Sequence, residues 1–208
     1  MKRKQLEIIL SSIRVNPKPK LRFEQYDLDS ASASTILHIA ASLGDVEGKR
    51  VIDLGCGTGI LSIGAAILGA RCVVGVDVDR ESIKVAEENM KSLGGRVELI
   101  SGTLDCVRGS FDAVIMNPPF GSWKRGLDLV FLAKATAISR VTYSLHKASE
   151  RSDSFLRKKI MAMGKRATML GRVEITIPRS YSFHNKAKYK VHAYLYRTIG
   201  EVSQSSAR

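Results

Sequence analysis

The chain has 208 residues, 44% of them hydrophobic and 25% charged, which predicts one domain with a real core over residues 1–200, the first 45 forming a short helical extension. No apolar run reaches membrane-spanning length and no signal-peptide apolar region opens the chain, so a cytoplasmic protein without a membrane partner is expected. The formal net charge of +13 points to a polyanionic partner, while Cys56, Cys72 and Cys106 form no C-x-x-C pair and predict neither a disulfide framework nor a metal site.

Taken in order, Lys2 to Ile13 carries apolar residues at Leu6, Ile9, Leu10 and Ile13, one stripe of a short helix that Asn16-Pro17-Lys18-Pro19 ends. Ala31 to Leu43 reads as a second helix, with Ser30 as its N-cap and Gly44 as its C-cap. Strands and helices then alternate. Strands are predicted at Arg50 to Leu54, Arg71 to Val76, Arg96 to Ile100, Phe111 to Met116 and Arg140 to Ser144. Helices are predicted at Gly59 to Leu68, Arg80 to Leu93, Leu127 to Ile138 and Ser152 to Met163. Thr168 to Ile177 and Tyr189 to Arg197 read as an antiparallel strand pair, and Glu201 to Arg208 as a disordered tail. This alternation predicts an α/β fold: a doubly wound, mostly parallel, seven-stranded sheet of Rossmann-like type, with an antiparallel C-terminal hairpin.

Two segments carry chemistry. Asp53-Leu54-Gly55-Cys56-Gly57-Thr58-Gly59 joins the first strand to a helix, where glycines let the backbone approach a ligand closely. Asp77 ends the next strand, 18 residues after Gly59, at the distance where a carboxylate can bind both ribose hydroxyls. A dinucleotide fingerprint would need glycine at position 60, where Ile60 stands, and no P-loop lysine is present. The acid at Asp53 suits a cationic cofactor without phosphates, and S-adenosylmethionine fits. A purely structural turn is the weaker reading, because three alternate glycines cost chain entropy with no packing return. Cys56 reads as a small packing residue inside this loop.

The second segment is Asn117-Pro118-Pro119-Phe120, after the apolar run Ala113 to Met116. An amide offers one acceptor and two donors, the prolines hold the backbone open so that the Pro118 carbonyl can meet a ligand, and Phe120 offers a flat face for stacking. Such a clamp suits a planar group bearing an NH2. Alone, it could also be a plain turn.

The charge is one-sided. Residues 1–120 hold 15 basic and 15 acidic residues, and residues 121–208 hold 18 and 5, so all the excess follows the clamp. Trp123, Lys124 and Arg125 could guide a substrate strand, and Arg179, Lys186, Lys188 and Lys190 lie among Tyr181, Phe183 and Tyr189, an interleaving that suits single-stranded RNA, with His184 in the same loop. A solvated hairpin loop is the plainer account of the same residues. His146 and His184 read first as hydrogen-bonded structural histidines.

Asp53-x-Gly-x-Gly-x-Gly, Asp77 and Asn117-Pro118-Pro119-Phe120 resemble the motifs of class I S-adenosylmethionine-dependent methyltransferases acting on amino groups. With Phe23-Glu24-Gln25-Tyr26, Leu61-Ser62-Ile63-Gly64, Tyr143-Ser144-Leu145-His146-Lys147 and Tyr181-x-Phe183-His184, the chain resembles the methyltransferase-like protein 5 family from about Phe23 to Arg197. The resemblance implies methylation of the N6 amine of an adenosine in small-subunit ribosomal RNA. It implies that Gln25 and Tyr26 cover the cofactor, that Gly55, Thr58 and Ile60 lie along its methionine and ribose with Cys56, Gly57 and Gly59 in the same loop, and that Asp77 with Val78 takes the ribose. It places the cofactor adenine near Thr103 or Asp105, and the target amine at Asn117. It also implies a small zinc-binding activator subunit near the second and third strands. The chain departs from the family in having Asp27-Leu28-Asp29 where a Pro-Thr usually follows the tyrosine. Competing readings are an N5-glutamine methyltransferase acting on a protein such as a release factor, a guanine-N2 RNA methyltransferase, and an RNA-binding protein that has lost catalysis.

Overall fold

The structure, a computed structural model, describes residues 1–208 apart from residues 18, 21–22, 24–27, 121–125, 179–187 and 201–208, and apart from the side chains of 150, 151, 176–178, 188 and 189. The tail expected over 201–208 lies outside the described residues. Two helices, α1 (Arg3–Leu10) and α2 (Ser30–Ser42), precede the alternating part: β1 (Arg50–Leu54), α3 (Ile60–Ile67), β2 (Cys72–Asp77), α4 (Arg80–Leu93), β3 (Glu98–Ser101), β4 (Phe111–Met116), α5 (Leu127–Ile138), β5 (Ser139–Lys147), α6 (Glu150–Ala162), β6 (Arg166–Pro178) and β7 (Lys188–Ile199). The seven strands form one sheet in the order β3-β2-β1-β4-β5-β7-β6. All neighbouring pairs are parallel except those of β7, which runs antiparallel to both β5 and β6.

Alternate strand residues feed two cores. Val51, Ala113, Ile115, Tyr143 and Leu145 pack with Leu6, Leu10, Ile36, Leu37 and Ile63, so α1, α2 and α3 cover one face. Ile52, Leu54, Val114 and Met116 pack with Leu132, Ala135, Ile138, Leu156 and Ile160 of α5 and α6 on the other. Strands buried on both faces read as continuous apolar runs, which is why the parallel part was visible in the sequence. The N-terminal helices are no loose extension: Leu6 and Leu10 are fully buried in the first core.

Many boundaries shift by one to three residues from expectation, and two of the shifts have a clear physical cause. Asp29, not Ser30, caps α2: its backbone is extended and its carboxylate accepts from Ser32 N at 2.9 Å. Gly44, with φ of 75°, follows as the left-handed residue after the helix. β5 runs three residues beyond Ser144, because Leu145, His146 and Lys147 pair with Leu195, Tyr194 and Ala193 of β7, a partner that no local pattern announces. Tyr143 Oη donates to Asp45 Oδ2 at 2.5 Å, and Arg197 Nε donates to the same oxygen at 2.9 Å, pinning β5 and β7 to the turn after α2. Burial and the neighbouring carboxylate raise the Tyr143 pKa, keeping the phenol protonated as that donor.

Candidate active site

Parallel strands leave a crevice at their carboxyl ends, and both motif segments end there. Gly55, Gly57 and Gly59 all take positive φ (75°, 53° and 88°), the conformation their loop requires. A Cβ on Gly55 would stand 3.1 Å from the Phe131 ring, so the missing side chain also admits α5 to the site. The loop is held from three sides. Val76 O accepts from Gly55 N and Cys56 N, at 2.8 and 3.0 Å. Asp77 Oδ2 accepts from Gly57 N at 2.9 Å and its Oδ1 from Asp79 N at 2.8 Å. The Asn89 amide donates to Thr58 O at 3.0 Å and to Arg14 O at 2.9 Å, fastening the N-terminal segment to the loop. That segment is also tied to the start of α4, where Asn16 donates to Asp79 and Ser82, and Lys20 pairs with Asp79.

Asp53 is buried at the end of β1. Its Oδ2 accepts from Ser62 N at 3.0 Å and from Ser62 Oγ at 2.6 Å, which satisfies the first turn of α3. Its Oδ1 has no hydrogen-bond partner among the described residues. Burial pushes the carboxyl up to about 7, against the lowering effect of the Ser62 bonds. Burial likewise raises Asp77 and the Cys56 thiol, which is thereby kept neutral.

The crevice is a cavity of about 520 Å³. Among the expected residues it is lined by Asp53, Gly55, Cys56, Gly57, Thr58, Ile60, Asp77, Val78, Thr103, Asp105, Asn117 and Pro119. Three expected residues stand elsewhere. Gly59 turns away: its vacant Cβ position faces Ala86 and Ile63, each at 3.2 Å, and it is the N-cap of α3. Pro118 is buried outside the lining, and Phe120 lines a second, neighbouring cavity with His146. Gln25, Tyr26, Trp123, Lys124, Arg125, His184 and Lys186 lie outside the described residues, as does the side chain of Lys188, which opens β7. The lining also includes Asn16, Phe23, Leu28, Leu127, Val130 and Phe131, which the sequence did not single out for this site. Leu127, Val130 and Phe131 share one helical stripe, a signal for a buried face that does not tell a core from a cavity. Asn16 reads locally as a turn residue.

Asn117 is the site's distinctive polar group. Its Oδ1 is buried and has no hydrogen-bond partner among the described residues. Leaving such an acceptor unpaired costs about 1–3 kcal/mol, which a donor bound in the cavity would recover. Asp53 Oδ1 is a second such acceptor, and both residues line the cavity together with apolar residues that include Ile60, Leu127 and Phe131. That donor set fits S-adenosylmethionine and a substrate amine: a cationic amino acid part, an apolar adenine surface, and N–H groups to be accepted.

The chain was compared with known proteins. The profile of the ribosomal protein L11 methyltransferase (PrmA) family matches residues 28–118, the stretch from the start of α2 to the clamp. An uncharacterized protein of Methanocaldococcus jannaschii is 37% identical, the alignment covering 95% of this chain and 94% of that one. The rRNA N(6)-adenosine-methyltransferase Mettl5 of Drosophila melanogaster is 34% identical, covering 95% of this chain and 96% of its own length. The crystal structure of a Pyrococcus horikoshii protein, described as a candidate RNA methyltransferase, is 39% identical and superposes with a TM-score of 0.90 over 98% of this chain and 99% of that one.

Proposed function

This chain belongs to the METTL5 family of rRNA N(6)-adenosine-methyltransferases, and from that premise we propose that it methylates the N6 amine of an unpaired adenosine in small-subunit ribosomal RNA, in the cytoplasm. The observation that carries the reading is the buried, unpartnered Oδ1 of Asn117 on the wall of the glycine-loop cavity. When bound, S-adenosylmethionine supplies an electrophilic methyl group. Asp53 Oδ1 would hold the positive end of that cofactor and Asp77 its ribose, with Gly55, Cys56, Gly57, Thr58 and Ile60 lining the cavity around it; by the family resemblance Gln25 and Tyr26 would also contact it. Thr103 and Asp105 stand at its adenine edge.

The exocyclic amine of adenine is a poor nucleophile, because its lone pair is delocalised into the ring. Asn117 Oδ1 accepts one N–H, and the carbonyl of Pro118, which lies between the lining residues Asn117 and Pro119, accepts the other once the base is seated; this turns the lone pair toward the methyl group and raises its electron density. Phe120 holds the base by stacking. The surplus proton leaves to water, so no dedicated base is required. Positioning of this kind contributes on the order of several kcal/mol. A paired base cannot reach the clamp, so the target is single-stranded or flipped out.

The PrmA match over residues 28–118 supports a second reading, transfer to a protein, and a planar side-chain amide is also the kind of group such a clamp suits. The basic excess confined to residues 121–208 favours RNA. Among the described residues β3 pairs with β2 alone and exposes Ile100, a surface that suits a small zinc-binding activator subunit adding a strand there. The test is transfer of labelled methyl to deproteinised ribosomal RNA, followed by nucleoside analysis. Wild type yields N6-methyladenosine; Asn117→Ala loses at least about 10²-fold in rate while its affinity for the cofactor is kept. Methylguanosine, methylated protein, or near-normal transfer by the Asn117→Ala variant overturns the proposal.

A further inference from the structure

The clamp has a second side. Asn117 and Pro119 line the large cavity, whereas Phe120 lines a neighbouring one of about 370 Å³. Leu127 and Asp128, consecutive on α5, divide in the same way, so the two cavities share a wall. The smaller one is lined by the aromatic residues Phe120 and Phe155 and by the polar Asp128 and His146, among others. Phe155 is 50% exposed, although it is a large apolar ring on the outer helix α6. His146 is 4% exposed; its Nε2 lies 3.0 Å from Ser144 Oγ, while its Nδ1 is buried with no hydrogen-bond partner among the described residues. The Asp128 carboxylate stands 3.5 Å from that nitrogen, beyond good hydrogen-bonding distance. The methyl-transfer chemistry uses Phe120, on the side toward the target base, but not Phe155, Asp128 or His146.

We infer that this second cavity receives the nucleobase adjacent to the target adenosine in the RNA strand, and that Asp128 and His146 select a base bearing an exocyclic amino group over uracil. The inference rests on the RNA reading above. Aromatic rings that flank an open slot are the usual platform for an unpaired base. A carboxylate accepts only, so it pairs with an amino group, as with the N4 amine of cytosine. Uracil sets two carbonyl oxygens beside its single N–H and would bring one of them against the carboxylate. The His146 Nδ1 then meets the neighbouring edge atom of the base and recovers its missing bond. Lys147, exposed at the end of β5 on the same cavity, is placed for the connecting phosphate.

The experiment takes the ribosomal RNA fragment that carries the methylated adenosine, with each neighbour of the target replaced in turn by uracil. Labelled transfer is measured for wild type, Asp128→Asn and Phe155→Ala, with cofactor affinity and thermal melting as checks of folding. At one neighbouring position wild type favours amino-bearing bases by about tenfold in kcat/KM, and Asp128→Asn, whose amide also donates, narrows that to about threefold or less. Phe155→Ala raises KM for RNA about tenfold, with cofactor affinity unmoved. The assignment is overturned if wild type is indifferent to both neighbours, or if both variants keep the wild-type KM and preference. It is also overturned if Asp128→Asn loses activity equally on every RNA, which would put the target base itself in the second cavity. No N6-methyladenosine from wild type on any RNA would instead remove the RNA reading, and this inference with it.

Discussion

Asp53 uses its two oxygens differently. Oδ2 is committed to Ser62 at the start of α3, and Oδ1, proposed above to meet the cofactor, has no hydrogen-bond partner among the described residues. The sequence showed an acid before a glycine loop, which reads as a ligand contact; it could not show that half the carboxylate stabilises a helix nine residues on. Its raised pKa gives two pH effects of opposite sign. Between the ordinary value of 3.8 and about 7, the folded protein holds a proton that the unfolded chain has released, so stability without ligand falls as pH rises through that window. Thermal melting should therefore drop more steeply from pH 5 to pH 8 in wild type than in Asp53→Asn. A cationic ligand on Oδ1 favours the ionised form, so cofactor affinity should rise with pH and level off above about 7. Calorimetry in buffers of different ionisation enthalpy should detect proton release on binding at pH 6 and little at pH 8; identical values would disprove the Asp53 assignment. Gly59 marks another limit of the sequence: its spacing matches the other two glycines, yet the loop's turn sends it toward Ala86. Asn16 was unreadable for a different reason, since its partners Asp79 and Ser82 lie more than 60 positions away.

At the scale of elements, α3 shows how a helix of small residues is used. A Cβ on Gly64 would sit 2.3 Å from Leu37 Cδ1, and Leu37 is fully buried, so it has nowhere to go. Gly64→Ala gains about 1 kcal/mol of helix propensity but overpacks the α2–α3 contact at a cost of about 1–3 kcal/mol. The expected outcome is a net loss of stability, read as a lower urea midpoint with an unchanged slope; a raised midpoint would mean that α2 shifts freely. The glycine in Leu61-Ser62-Ile63-Gly64 was visible, but its packing partner was not. Helix and strand types were legible because burial on both faces leaves long apolar runs, and α4, β4 and α5 begin and end at the predicted residues. The end of β5 was hidden, because residues 145–147 take strand geometry from β7 rather than from their own composition.

Across the whole molecule, charge and topology divide at the clamp. The part up to residue 120 is electrically balanced and holds the glycine loop, while the part after it carries the +13 excess. RNA affinity should fall linearly on a log–log plot against salt, by about 0.7 per phosphate contact on a single strand, so about five contacts lose roughly 10²-fold over a fourfold rise in salt. Cofactor affinity, measured beside it, should stay level; an RNA affinity that ignored salt would remove electrostatic capture from the account. The arrangement of the last strands has a further consequence, for folding. β6 pairs with β7 alone, and β7 is made after β6 yet fills the gap between β5 and β6. The sheet therefore cannot zip up in the order of synthesis: while the chain is still emerging, β6 has no neighbour to join. The β6–β7 hairpin forms locally, but its docking on β5 joins residues about fifty positions apart, the kind of contact that loop-closure entropy makes slow, so a growing chain can complete its methyl-donor pocket before the last two strands join the sheet.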